Sequence, residues 1–485
     1  MNNTTKQVLG NTCFRVGGYA LGAGLFFTTI VLIARYLGTE GFGHFSFILA
    51  TASIFQLVAD MGVRNIVIRD IALEKEKFHL HLSTARTLLW SLSVVSLGCI
   101  VLLANLLAIS DDLRHSMYLA GLAVIVTFYG LGYSAVLRAF EEMGWDILGF
   151  ILHKVVFIAF IGLIAQTSLG LQGVFAAMLL ANTLQWLYYW AVVRLRHGRV
   201  KPNLNFTAAW SLLWEAFPLG IAEILRRLTR HVDKLLLAAI STPVALGLFS
   251  AAYKFLEAMS PFTTNLTLPL FPVFSRFARD SPLRLFRALE QSLKFLHVLG
   301  MPLAVLMFVL SEPLVVLLFG EAYREAGAAL RLIAPGVVFI FPTSVYSYVF
   351  TALGRQRLYM GCVAAALAVN TLLDLLLIPS YSYQGAALAT TGAEAVLFVA
   401  GVIMLHRLGG ELSGLWLLWR PLVAGLGMSL CCWVTRDLGL ASAVFGVISG
   451  FILYAGLLLV FQTFTAHERA LLRGAMRLRW GNASQ

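Results

Sequence analysis

Apolar runs long enough to cross a lipid bilayer recur along almost the whole of this chain, and that recurrence restricts it to a bundle of membrane helices. A helix needs about 20 apolar residues to span a hydrocarbon core roughly 30 Å thick. This ruler predicts about fourteen spans, near 9–36, 43–64, 84–109, 115–138, 147–167, 171–193, 209–240, 243–272, 293–319, 326–352, 358–379, 384–406, 416–436 and 440–463. With 59% hydrophobic and 12% charged residues, the chain cannot cover itself with polar surface, since soluble domains carry about a quarter charged residues. The expected fold is an all-α integral membrane protein.

The positions of the charges matter more than the formal net charge of +12. The basic residues lie mostly between apolar runs, where they meet anionic headgroups rather than nucleic acid. Arg64, Arg69, Lys75, Lys77, Arg194, Arg196, Arg199, Lys201, Arg276, Arg279, Arg284, Arg287, Arg355, Arg357 and Arg407 fall in one set of connections. The opposite set offers Arg35, Arg114, Arg324 and Arg436. Basic loops stay in the cytoplasm, so both termini are expected there, in a multi-pass plasma (inner) membrane protein. No cleavable signal peptide is evident, because Lys6 and Arg15 flank and interrupt the first apolar stretch. The stretch from His467 to Trp480 is basic with interleaved apolar residues and reads either as an interfacial helix or as an end that only fixes topology.

The cysteines Cys13, Cys99, Cys362, Cys431 and Cys432 sit within apolar segments without metal-type spacing. No nucleotide motif, metal cluster or nucleophile constellation is found, so neither an enzyme nor a cofactor is expected. Every expected outer loop is also too short to house an active site.

The chain repeats itself. Leu32, Ala34, Gly43, Phe45 and Ser46 align onto Leu236, Ala238, Gly247, Phe249 and Ser250, and Gln172, Gly173, Ala177 and Ala181 onto Gln384, Gly385, Ala389 and Ala393. The two matches lie at the beginning and end of successive six-span blocks. They predict two parallel six-helix lobes, 1–200 and 201–410, two additional helices in 411–465 and a basic tail in 466–485. Parallel repeats imply a pseudo-two-fold axis along the membrane normal and a central cleft, an arrangement typical of alternating-access transporters.

The seventh span carries Glu223, Arg226, Arg227, Arg230, Asp233 and Lys234 inside an otherwise apolar helix. Each Arg, Lys or Asp at a helix centre costs about 2.5–3.5 kcal/mol on insertion scales. Glu223, Arg227, Arg230 and Lys234 recur at helical spacing, so they share a face. Pairing within the stretch cannot consume the surplus of cations, and that face must look onto water or a charged partner. A phosphate or pyrophosphate ligand suits such a face. Arg15 in the first span, Lys254 with Glu257 in the eighth and Arg331 in the tenth are further candidates, each also readable as a snorkelling residue. Lys154, with His153, reads as an interface residue near the end of span five. Asp60 and Arg69 read as structural groups, and Asp374 and Glu394 as groups that either titrate or bond a neighbouring helix. Pro218, Pro261, Pro269, Pro272, Pro335 and Pro342 mark spans seven, eight and ten for kinks.

Several stretches together resemble the bacterial polysaccharide flippases of the Wzx type, within the multidrug/oligosaccharidyl-lipid/polysaccharide exporter superfamily. They are IARYLGTEGFGHFSFILA, ADMGVRNIVIRDIA, FPLGIAEILRRLTRHVDKLLLAAISTPVALGLFSAAYKF, PLVVLLFGEAYREAGAALRLIAPG, TALGRQRLYM and NTLLDLLLIPSYSYQGAALATTGAEAVLF. The resemblance implies that lipid-linked oligosaccharide on a polyprenyl pyrophosphate is carried from the inner to the outer leaflet, coupled to H+ or Na+, with membrane lipids and polysaccharide polymerase machinery as partners. Asp233, Asn370 and Glu394 match positions of that family, whereas Asp374 stands where Asn is expected. The substrate-binding candidates Arg15, Arg226, Arg227, Arg230, Lys234, Lys254 and Arg331, and the ion-coupling candidates Asp233 and Glu257, rest on the charge argument. A lipid II-type flippase is the nearest alternative. A membrane polymerase or ligase is the alternative from another class, and a multidrug exporter is disfavoured by the cationic stripe.

Overall fold

The computed structural model describes residues 3–198, 206–410, 419–436 and 440–463, and every regular element among them is a helix. For 3–20 and 218–226 the helix path alone is described, so the side chains of Arg15, Glu223 and Arg226 lie outside the description. The basic stretch 467–480 lies outside it too.

The chain forms two compact units that interleave in sequence. One comprises Met1–Pro261, Val316–Ala326 and Asn370–Ala389, the other Phe262–Val315, Gly327–Val369 and Thr390–Gln485. In the first, the helices are α1 (Asn3–Asp60), α2 (Val63–Leu73), α3 (Phe78–Leu106), α4 (Asp111–Ala139), α5 (Met143–Ile164), α6 (Gly170–His197), α7 (Phe206–Ile240) and most of α8 (Pro243–Thr267). Their core is built on Leu82, Leu89, Val136, Leu137 and Val193. In the second, α9 (Phe271–Asp280), α10 (Pro282–Val309), α11 (Ser311–Phe319), α12 (Ala326–Thr343), α13 (Tyr346–Ala352), α14 (Gln356–Arg407), α15 (Trp419–Thr435) and α16 (Leu440–Val460) supply most of the elements, and Met301, Ala424, Met428 and Tyr454 form a core.

Among the described residues, seven helical stretches are by length and composition able to cross a membrane: Gly24–Gln56, Lys75–Leu106, Asp111–Ala139, Met143–Ile164, Pro282–Val309, Ala326–Ala352 and Gln356–Arg407. The last of these holds two of the expected spans, divided at Ser382 (φ 50°), and the first holds the adjoining parts of two, divided at Gly38 (φ 68°). Proline shapes the second unit. The expected span 243–272 ends as a helix at Thr267, and a 3₁₀ turn with Pro269 leads into α9. The expected span 326–352 breaks after Pro342, where a proline removes a backbone donor.

The expected repeat has local counterparts in the backbone. The kink at Gly38 falls at the position matched by Thr242, in the break between α7 and α8. Gly170 (φ 53°), at the start of α6, is matched by Ser382 (φ 50°). Glycine adopts such a φ freely, whereas a serine is held there by its surroundings.

Within the first unit the middle of α1, at its kink, is fastened to a segment nearly three hundred residues away. Arg35 donates from Nε to Leu318 O and from Nη2 to Leu317 O, each at 2.7 Å. The Tyr323 hydroxyl lies 2.8 Å from both Ala34 O and Gly38 O, so its single proton is shared between the two carbonyls that bracket the kink. Buried acid is managed locally: Asp146, only 2% exposed, accepts from Ser134 Oγ at 2.5 Å and Arg138 Nε at 2.8 Å.

Candidate functional site

The charges of α7 fall on one face because Arg227, Arg230 and Lys234 are separated by three and four residues. Their environments differ. Arg227 is half-buried and donates from Nη1 to Gln56 Oε1 of α1 at 2.8 Å. Arg230 is exposed. Lys234 is buried, and its ammonium lies 2.8 Å from Glu257 Oε1 of α8 and 4.5 Å from the centre of the Tyr253 ring.

Glu257 also takes Lys254, whose ammonium is 2.6 Å from Oε2. One carboxylate therefore serves two buried lysines, one per oxygen. The Lys254 ammonium lies in addition 5.6 Å from the centre of the Phe26 ring of α1, and Lys154 of α5 lies 5.2 Å from the same centre. Phe26 is thus an aromatic surface shared by two ammonium groups. Among the described residues Lys154 is met by the rings of Phe26 and Phe150 and not by a carboxylate. Arg227, Lys154, Lys234 and Lys254 are drawn together by α1, α5, α7 and α8, and Glu257 is the acid that ties the two lysines of α7 and α8.

The seven cations expected at the site divide accordingly. Arg227, Arg230, Lys234 and Lys254 belong to the first unit. Arg331 belongs to the second, where its Nε is 3.4 Å from Ser311 Oγ. The side chains of Arg15 and Arg226 lie outside the description. The sequence reading took Lys154, with His153, as an interface residue near the end of span five and left it out of the site. The available signal was its depth, with Phe150 and Phe157 on the same helix.

The two acids expected to couple an ion have different partners. Glu257 neutralises lysines. Asp233, 2% exposed, meets Asp374, which is fully buried, so that each carboxyl acts on the other. Asn370, one turn before Asp374 on α14, is buried as well. The pairing of Asp233 with Asp374 was invisible in the sequence, since the residues are far apart along the chain. Their shared apolar surroundings in spans seven and eleven were the one hint. Two carboxyls side by side in a low-dielectric interior cannot both be ionised without a proton or a cation between them.

The chain matches the family described as polysaccharide biosynthesis protein over residues 8–278 and the MatE family over residues 218–376. It is 24% identical over 323 residues to the lipopolysaccharide biosynthesis protein WzxC of Escherichia coli K12, covering 64% of this chain and 63% of WzxC. It is 22% identical over 424 residues to the succinoglycan biosynthesis transport protein ExoT of Rhizobium meliloti, covering 84% of this chain and 82% of ExoT. The match to the capsular polysaccharide biosynthesis protein CapF of Staphylococcus aureus covers 45% of this chain and 56% of CapF, at 23% identity. The chain thus spans 56% to 63% of the lengths of CapF and WzxC.

Among solved structures, the lipid II flippase MurJ in an inward closed conformation superposes with a TM-score of 0.74 at 15% identity, over 92% of this chain and 98% of that one. An inward-facing multidrug resistance MATE family transporter superposes with a TM-score of 0.65 at 13% identity, over 80% and 96%. The expected transporter architecture is therefore the observed fold, and the match over residues 8–278 covers more than half of the sequence. This chain belongs to the polysaccharide biosynthesis protein family, and it has the fold shared by MurJ and the MATE transporters.

Proposed function

We propose that this protein carries a polyprenyl-pyrophosphate-linked oligosaccharide from the inner to the outer leaflet of the plasma membrane by alternating access, for the synthesis of a cell-surface polysaccharide. The observation that carries this reading is the pair Lys234 and Lys254 on one carboxylate, Glu257, with Lys154 joined to Lys254 through the shared Phe26 ring and Arg227 on Gln56 of α1, all within membrane helices. A sugar-pyrophosphate head cannot enter hydrocarbon, because its charge and hydrogen-bonding groups would lose their water. A cavity that carries surplus ammonium and guanidinium groups replaces that water, while the polyprenyl tail stays in lipid.

Two six-helix lobes, 1–200 and 201–410, rock about the site in this reading, with the helices of 411–465 as additions to the common core. Arg35 and Tyr323, with their carbonyl partners, then close the outer end. The coupling ion, H+ or Na+, exchanges at Asp233 and Asp374. Names of relatives such as WzxC, ExoT and the probable low-salt glycan biosynthesis flippase Agl15 of Haloferax volcanii support a lipid-linked glycan substrate. The fold shared with MurJ favours lipid II as a second reading.

The test is transfer of labelled lipid-linked repeat across the membrane of proteoliposomes by wild-type, Arg227→Gln and Lys234→Gln proteins. Loss of transfer in both variants at normal insertion is expected, and undiminished transfer in both would remove the site. Lipid II offered in parallel separates the two substrates. Accumulation of lipid-linked repeats on the inner leaflet of a deletion strain separates transport from polymerisation.

A further inference from the structure

Helices α1, α4, α5 and α6 enclose a cavity of about 200 Å³ beside the cation cluster. It meets the cluster at two residues. Phe26, on its wall, is the ring shared by Lys154 and Lys254, and Gln56, also on its wall, accepts from Arg227.

The interior is mostly apolar, with a polar stretch formed by Ser53, Gln56, Thr127, His153 and Asn182, and among the described residues no Asp or Glu lines it. Its hydrogen bonds run in one direction. Thr127 Oγ1 donates to Ala123 O at 2.8 Å and so accepts from Asn182 Nδ2 at 2.9 Å. Asn182 Nδ2 reaches Ala123 O as well, at 3.1 Å. The Asn182 amide is thereby oriented with Oδ1 towards His153, whose Nε2 lies 2.7 Å away. Nε2 must carry the proton of that bond, which leaves Nδ1 of a neutral ring as an acceptor. The wall therefore combines apolar and aromatic faces with a few ordered polar groups held by their own hydrogen bonds, the lining of a site that takes a sugar ring by stacking and orients it through a small number of hydrogen bonds.

We propose that this cavity is a sugar subsite, which takes the first monosaccharide of the head while Lys154 and Lys254 hold the pyrophosphate joined to it. The assignment rests on the transport reading above and specifies where the head divides. A sugar attached directly to phosphate has its hydroxyls within a few bonds of the charge, and here a largely apolar pocket with a few hydrogen-bonding groups adjoins two ammonium groups across a single phenyl ring. Lys154 marks the boundary, because it belongs to both the cavity wall and the cluster.

The experiment compares binding of two probes to the full-length protein in nanodiscs: a short-chain polyprenyl pyrophosphate, and the same lipid bearing one hexose. Wild-type protein is expected to bind the sugar-bearing lipid about tenfold more tightly, the size of one well-made hydrogen bond. His153→Phe and Ser53→Leu are expected to bring that ratio close to one without changing affinity for the sugarless lipid. Ser53→Leu fills the cavity while leaving its hydrogen bonds in place, so it serves even where His153→Phe does not fold. Lys154→Gln is expected to weaken both probes alike. Discrimination that survives in Ser53→Leu, or is missing in wild type, overturns the subsite while the transport reading stands. Failure of wild type to bind either lipid overturns both.

Discussion

Gly43 and Gly247 are reciprocal neighbours: a methyl group built on Gly43 would lie 1.8 Å from Pro243 O, and one built on Gly247 would lie 2.0 Å from Thr39 O. Thr39 and Pro243 correspond under the same shift that aligns the two glycines, so the contact is close to its own image when the repeats are exchanged. Only residues without a Cβ let two helix backbones approach this closely, a common device where helices pack in membranes.

Gly43→Ala and Gly247→Ala are therefore expected to separate these helices. Each should cost more than the roughly 1–3 kcal/mol of ordinary overpacking, because the obstructing atom is a backbone carbonyl that no rotamer change can move. Thermal unfolding in detergent and export of surface polysaccharide at matched expression check this. Wild-type values in Gly247→Ala would mean that the backbones are not in contact.

Glu257 offers a second test. Its replacement by Gln leaves Lys234 and Lys254 facing one another without a carboxylate, and breaking a buried ion pair from one side costs about 3–5 kcal/mol. The unliganded Glu257→Gln protein should therefore unfold at lower temperature than wild type. Pyrophosphate lipid should raise its melting temperature more than it raises that of wild type, because the ligand restores the missing anion. A variant stabilised no more than wild type by that lipid would dissociate the lysines from phosphate binding.

Asp374→Asn removes one of two adjoining acids and keeps the side-chain shape. Because a buried acid beside a second carboxyl is replaced by a neutral amide of the same shape, a fold at least as stable as wild type is expected. Transport by the variant should no longer respond when the proton or sodium gradient is collapsed. Transfer assays with ionophores read this directly, and a response identical to wild type would exclude the pair from coupling.

Ser382 sets a backbone preference against a hydrogen bond. Its φ of 50° disfavours any side chain, at about 1–3 kcal/mol, while its Oγ lies 2.6 Å from Ser241 Oγ. Ser382→Ala loses the bond and keeps the strain, whereas Ser382→Gly loses the bond and relieves it. The glycine variant should be the more stable of the two, by about 1 kcal/mol or more. Equal melting temperatures would contradict a strained conformation at this position.

What the sequence revealed follows from the range of the interactions. The apolar runs and the stripe on α7 were legible because they depend on spacing within one helix, and Lys254 with Glu257 because three residues separate them. That Lys234 joins the same carboxylate was not legible, since it needs the packing of α7 on α8. Asp374 was legible as an acid that titrates or bonds a neighbouring helix, but its partner Asp233 was not, and the ring that Lys154 shares with Lys254 was hidden for the same reason: each partner lies on another helix. Helix ends in the second unit were displaced where Pro269 and Pro342 break runs whose hydropathy continues across them.

The interleaving of the two compact units has a consequence for synthesis. The first unit includes residues up to Ala389 but is interrupted after Pro261, so the ribosome must add roughly 130 further residues before that unit is complete. At about 5–20 residues per second this takes on the order of 6–25 s. Throughout that interval the ammonium–carboxylate cluster on α7 and α8 has all its own parts, whereas Asp233 still awaits Asp374. A nascent chain arrested there would hold a finished ammonium–carboxylate cluster beside an Asp233 whose neighbour Asp374 has yet to be made.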